Sequence, residues 1–275
     1  MITPICYNNN QPTFGVNLNS PKLKLSQKDF FIKIRGYGRD TNWANKVVKT
    51  TDEAVKLIRE NWDSDWVLFN ITQGVKIANT YPLDIDLRNH TGVLRTSRAG
   101  WEHGSDWDGC VLTTPYGKSK YKVYEERLDY VKDNPLENPF DDIALARPDY
   151  SRIFNEKNVY HPAPDFINNV FRHIERIYSF LQTNFVKKEI KPKDLSVVND
   201  KMAEMRWIMA HSMPWERGSD CISNVFMRAV YKAMGVKAYP PAKGISFDME
   251  AFCTNLDEYK KNFVKFFEKP PEVIE

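Results

Sequence analysis

Cysteine is scarce in this chain, and what is present has no metal or redox spacing. Cys6, Cys110, Cys221 and Cys253 are the four in 275 residues. They form no CxxC pair, which excludes a zinc-ribbon or thioredoxin-type motif and reads as reduced thiols in a cytosolic compartment. No apolar run approaches the ~20 residues that cross a bilayer, so no membrane span is expected. The opening MITPICYNNNQPTFG lacks the basic and apolar regions of a secretory signal. The expected location is cytoplasmic, with delivery by a route that needs no classical signal left open. A strong charge excess is missing too. The formal net charge is +3 and the pI about 8.5, which argues against a specific nucleic-acid partner. Repeats and low-complexity tracts are also absent. What is there is a core: 42% hydrophobic and 13% aromatic residues are enough to exclude global disorder.

The patterning predicts an α+β chain, with a mixed N-terminal region followed by a mainly helical C-terminal domain. Residues 1–26, rich in Asn and Pro, read as a flexible arm. Residues 27–131 read as a mixed region: a strand in FFIKIRGYG ending at Gly36, a helix beginning at a Thr50/Glu53 capping box, and further strands in WVLFNIT and GVLRTS. Residues 132–164 contain Pro135, Pro139, Pro148, Pro162 and Pro164 and read as a linker. Residues 165–275 turn helical. One helix is capped at Asp165 and carries Ile167, Val170, Ile174, Tyr178 and Leu181. The next carries Val198, Met202, Met205 and Met209 and breaks before Pro214. A third starts at Ser219 or Asp220 and ends before Gly235, and a fourth starts at an Asn255/Glu258 box. Breaks are expected near 185–194, 212–218 and 235–254.

The run HSMPWERGSD, His211 to Asp220, falls at the junction of the second and third of these helices. A helix start offers unpaired amides and a positive dipole end, which attract anions. Arg217 adds a fork of donors suited to phosphate or carboxylate. Gly218, Ser219 and Asp220 complete the turn, and His211 is a base that titrates near neutrality. The plain structural alternative makes Ser219 or Asp220 the helix cap, Trp215 a core residue, and His211 a partner of a nearby carbonyl.

Residues 206–235, RWIMAHSMPWERGSDCISNVFMRAVYKAMG, resemble the Fic/Doc (Fido) superfamily, in which a helix leads into H-P-F-x-(D/E)-G-N-G-(R/K) and a second helix. The resemblance implies His211 as base, Pro214-Trp215 in place of Pro-Phe, and Gly218 as the turn glycine. It also implies a nucleotide donor such as ATP, and transfer of a nucleotidyl group to a protein hydroxyl. Ser212 and Met213 intervene after the histidine. Arg217 stands where the family has its metal-holding acid, which leaves only Glu216 for that role, so no metal site is assigned.

Other motifs offer other chemistry. IRGYGRD places Arg35 and Gly36 at a strand end, similar to the arginine element of mono-ADP-ribosyltransferases, but no Glu-x-Glu partner follows. LRTSRAGWEHGSDWDG interleaves Arg95 and Arg98 with Trp101 and Trp107. Asp84, Asp86 and His90 alternate without forming a convincing metal set. GISFDMEAF brings Asp248 and Glu250, carboxylates that would orient His211 or pair with Arg217 if the segment folds back.

The leading expectation is a bacterial, effector-like transferase that uses a nucleotide or other phosphate-bearing ligand on a protein substrate, centred on His211, Arg217 and Gly218. The alternatives are a non-catalytic module that binds a phosphate or carboxylate of a partner protein at a helix N-terminus, and an ADP-ribosyltransferase centred on Arg35.

Overall fold

The computed structural model describes residues 23–30, 41–79, 89–97, 100–102, 139–140, 142–145, 147–150 and 157–274. Phe30 closes a short 3-10 turn, Gln27–Phe30, where the sequence suggests the start of a strand. The rest of that expected strand, with Arg35 and Gly36, lies outside the described residues, as do Asp84, Asp86, Arg98 and Trp107.

Helix α1, Thr41–Arg59, buries Ala44, Val47, Thr51, Ala54, Val55 and Ile58 along one stripe. The expected start at Thr50 is therefore corrected: Thr50 and Thr51 sit mid-helix. Their hydroxyls donate back to the carbonyls of Lys46 at 3.0 Å and Val47 at 2.7 Å, the pairing that lets a threonine sit inside a helix. WVLFNIT is likewise a helix and not a strand. Helix α2, Ser64–Ala78, begins where the Asp63 carboxylate accepts from Trp66 N at 2.9 Å. The apolar run fits a strand in a short window, but the cap and the burial of Val67, Leu68, Ile71 and Val75 at helical spacing decide for a helix. Helices α1 and α2 cross at Gly74, where a Cβ would lie 2.2 Å from Thr50 Oγ1. Only glycine allows that approach.

GVLRTS is not a regular strand. It runs beside the 213–217 loop with isolated bridges at Thr91–Arg217 and Leu94–Trp215. Strands β1, Gly100–Glu102, β2, Arg147–Tyr150, and β3, Lys157–Tyr160, make an antiparallel sheet in the order β1-β3-β2, with Tyr160 opposite both Gly100 and Arg147. Phe140, Ile143 and Leu145, from the proline-rich stretch, pack on the core.

Helix α3, Ile167–Phe185, buries the stripe its spacing predicts: Ile167, Val170, Ile174, Ile177, Tyr178 and Leu181. Asp165 does not cap it; it lies in a 3-10 turn, Pro164–Phe166, that leads into the helix without a side-chain cap. Helix α4, Pro192–Ser212, opens with proline at its first position and with the Asp194 carboxylate accepting from Lys191 N at 2.9 Å. From Met205 to Ser212 every residue is buried, so α4 is the central helix of the C-terminal part. Helix α5, Ser219–Ala233, packs on α1, α2 and α4 and is followed by Gly235 at φ 79°.

The stretch after α5 carries a helix the sequence pattern does not announce: α6, Phe247–Cys253, capped by Ser246. Helix α7, Leu256–Asn262, is capped by Asn255, whose Oδ1 accepts from Glu258 N at 2.9 Å. A 3-10 turn, Phe263–Phe266, follows. Phe247, Tyr259, Phe263, Phe266 and Phe267 stack into one aromatic cluster, with centroids 5.1 Å apart for Phe247–Phe267 and 5.2 Å for Tyr259–Phe266. Strand β4, Val236–Lys237, pairs antiparallel with β5, Glu272–Val273, and ties down the C-terminal segment. One buried cluster runs from Phe30 through α1–α5 to Phe267. Among the described residues, no helix is long and apolar enough to cross a membrane.

Candidate functional site

The junction between α4 and α5 is a six-residue loop held from outside. Helix α4 ends at Ser212, and Met213 takes a left-handed conformation at φ 39°. Residues 90–97 then clamp the loop. Gly92 N donates to Arg217 O at 3.1 Å, Glu216 N to Val93 O at 2.8 Å, and Arg95 N to Pro214 O at 3.0 Å. The Arg95 side chain, 4% exposed, does more. Nε donates to Met213 O at 2.6 Å, Nη1 to Ser97 O at 2.9 Å, and Nη2 to Pro162 O at 2.9 Å and to Ser212 O at 2.8 Å. A cation among the last carbonyls of a helix complements its dipole. Burial lowers the Arg95 pKa from its ordinary value without discharging the group.

His211 faces inward. It is 1% exposed, its ring centroid lies 4.2 Å from that of Trp207 and 5.4 Å from that of Phe252, and Nε2 is 3.3 Å from the Ala251 carbonyl. Its own carbonyl is 2.9 Å from Nδ1 of His161, also buried. Trp215 is core, 5.9 Å from Phe171. Glu216 is not turned to a metal; it pairs with His90.

Gly218, at φ 85°, is the N-cap of α5, which corrects the expected cap at Ser219 or Asp220. Ser219 instead closes the loop on itself. Its Oγ accepts from Trp215 N at 3.2 Å and donates to Trp215 O at 3.0 Å. The helix start thus has no side-chain cap. Arg217 is exposed beside it, and its guanidinium has no hydrogen bond or ion pair among the described residues. Cys221 sits in the first turn of α5, where a helix start tends to lower a thiol pKa, but here the opposite holds. Burial, and then the charge of Asp220, push its thiol pKa up.

Arg206 belongs to no motif in the sequence, yet it is central to the junction. Its side chain is 1% exposed, with Nη2 donating to Asp220 Oδ1 and Nη1 2.7 Å from Asp248 Oδ1. The Asp248 contact is an ion pair off the line of a hydrogen bond, and Nε and Nη1 have no hydrogen-bond partner among the described residues. Burial opposes the Arg206 charge, but Asp248 and Asp220 outweigh it and hold the guanidinium above its ordinary pKa. Burial pushes the Asp248 carboxyl up to about 7 against the pull of Arg206. Asp248 thus finds a different arginine from the expected Arg217. Glu250 is also buried, and burial, then Glu258, raise its pKa to about 8. The available signal was Arg206 itself, a charge in the otherwise apolar run from Met205 to Ala210.

Residues 132–270, just over half of the sequence, match the AvrB_AvrC family of avirulence proteins. The chain belongs to that family. No curated protein matches it. The avirulence match includes residues 206–235 and overturns the Fic/Doc resemblance. The structure gives the physical reasons: the would-be base is enclosed by Trp207 and Phe252, and the position before the turn glycine is a cation. The avirulence protein is of bacterial effector type, a class that interacts with host proteins.

Proposed function

We propose that this avirulence protein acts by binding a host protein, and that Arg217 at the start of α5 receives an acidic or phosphorylated group of that partner. The observation that carries the reading is Arg217 itself. It is an exposed guanidinium with no internal partner among the described residues, on a backbone fixed by the Gly92 and Thr91 pairings. It adjoins Gly218, Ser219 and Asp220 at an uncapped helix start. Asp220 would oppose an anion there, but its carboxylate is paired with Arg206 and with Asn224 Nδ2 at 3.0 Å. The positive end of α5 is thereby left in excess. His211, enclosed in the core, has no part in this reading, which needs binding and not group transfer.

The test uses inorganic phosphate and a phosphoserine peptide as probes, with the amide signals of Gly218 and Ser219 as readout. Arg217→Ala removes charge-assisted bonds of about 1.5–3 kcal/mol, so affinity falls by roughly ten- to a hundredfold while the melting temperature holds. A large drop in melting temperature with unchanged affinity would sink the reading.

A further inference from the structure

Helix α2 is apolar on two sides. Val67, Leu68, Ile71, Val75 and Ala78 are buried. On the opposite side stand Trp62, just ahead of the helix, and Trp66, Phe69 and Ile77, at 43%, 54%, 56% and 61% exposure. Their spacing keeps them on one helical face, where the exposed Gln73 separates Ile77 from the Trp62–Trp66–Phe69 cluster. A cluster of large exposed apolar side chains marks a contact surface. The rings are already arranged for contact. Trp62 and Trp66 meet edge to face at 6.0 Å, and Trp66 and Phe69 at 5.9 Å. Little side-chain freedom is left to lose on docking.

Carboxylates rim the aromatic end. Glu60 accepts from Trp62 Nε1 at 3.2 Å, Asp63 caps the helix, Asp65 is exposed beside Trp66, and Glu175 accepts from Ser64 N at 2.7 Å. They crowd one another: burial, then Asp63 and Glu175, raise the Asp65 pKa above its ordinary value. The nearby Arg59 is turned away, its Nε donating to Ala233 O at 3.3 Å. This acidic rim lies on a chain of net charge +3.

We propose that the Trp62–Trp66–Phe69 face docks a basic amphipathic segment of a partner protein. Apolar side chains of that segment would cover the rings, and its lysines or arginines would meet the four carboxylates and the ring faces. A second copy would set like-charged rims against each other, and an anionic lipid surface would be repelled by the same groups.

The experiment uses the full chain and a short leucine–lysine amphipathic peptide as probe, with a leucine–glutamate peptide of the same pattern as control. The lysine peptide binds, with affinity falling as salt rises, and the glutamate peptide does not. Trp66→Ala weakens binding by roughly tenfold or more, the usual cost of losing an aromatic anchor, and Asp65→Asn weakens it less. Trp66 is exposed, so its replacement leaves the melting temperature in place, and that is measured alongside. Failure of the lysine peptide to bind, equal binding of both peptides, or an unchanged affinity in Trp66→Ala overturns the proposal. Self-association that Trp66→Ala abolishes assigns the face to a second copy, and uptake by anionic vesicles assigns it to lipid; either also overturns it. Arg217→Ala is expected to leave peptide binding intact, which separates this surface from the α5 site.

Discussion

Arg206 on α4 and Asp248 on α6 face each other inside the protein, Nη1 2.7 Å from Oδ1, while the other end of the same guanidinium holds Asp220 at the start of α5. One cation thus joins three helices. Its guanidinium lies over Phe247, whose ring centroid is 5.6 Å from the guanidinium carbon. The arrangement couples the start of α5 to the buried C-terminal cluster.

Arg206→Met is therefore expected to cost about 3–5 kcal/mol, because it strips a buried carboxylate of its counter-charge. Asp220→Asn costs far less, since that carboxylate is 42% exposed. The double variant Arg206→Met/Asp248→Leu recovers most of the loss, because an apolar pair of similar volume replaces the ion pair. Urea denaturation of the single and double variants measures the coupling; additive losses would show that the two residues act independently.

Much of the helical part was legible because amphipathic stripes report it. Ile167 to Leu181 repeat at helical spacing and bury one face, and Asn255 with Glu258 marks a helix start that the structure keeps. Helix α2 reads as a strand in the sequence because Trp66, Val67, Leu68, Phe69 and Ile71 put apolar side chains on both faces, so no period stands out. The second apolar side, which hides the helix in the sequence, is the one that carries the exposed Trp66 and Phe69. Thr50 and Glu53 have capping-box spacing, yet the helix had already begun at Thr41, and only packing on Gly74 shows it. In the candidate site, the loop boundaries and the exposed Arg217 follow from Pro214 and Gly218. The burial of His211 does not: it depends on Phe252 and Ala251, brought over from α6. Nor does any local pattern show that Arg95 crosses to the end of α4.

Arg95→Lys is expected to destabilise the protein nearly as much as Arg95→Ala, by about 3 kcal/mol or more. A single ammonium cannot replace a fork that serves Met213, Ser97, Pro162 and Ser212, and buried carbonyls left without donors cost about 1–3 kcal/mol each. The loop should loosen before the rest unfolds, so faster hydrogen exchange at Glu216 and Ile222 is the readout. Wild-type exchange rates at those amides in Arg95→Ala would refute the clamp.

Buried His161 bends the pH profile one way, and buried Glu250, together with Asp248, bends it the other. Burial lowers the His161 pKa to about 4 from 6.5. The unfolded chain therefore binds more protons between those values, and stability is lost as pH falls through that window. Glu250 is raised from 4.5 to about 8. Here the folded chain holds the extra proton, so this contribution to stability is lost as pH rises from 4.5 to 8. Glu250→Gln should flatten the alkaline side, raising the melting temperature at pH 8 relative to the parent while changing little at pH 5. A melting series with unaltered alkaline slope in Glu250→Gln would remove that residue from the account.

Gly218→Ala tests whether the turn before α5 is as constrained as its geometry requires. At φ 85° an alanine is strained, and its Cβ would lie 3.2 Å from Thr91 Cγ2 and 3.7 Å from Ile222 Cδ1. The conformational penalty is about 1–3 kcal/mol, and the contact with Thr91 presses on the very segment that clamps the loop. Relief by a flip of the turn would turn Arg217 away from the helix start. Thus Gly218→Ala should lower the melting temperature and weaken phosphate binding together, whereas Arg217→Ala weakens binding alone. Thr91→Ser, which removes the clashing methyl, should restore part of the stability in the Gly218→Ala background. If Gly218→Ala melts with the parent protein and binds phosphate as well, the left-handed turn is not what positions Arg217.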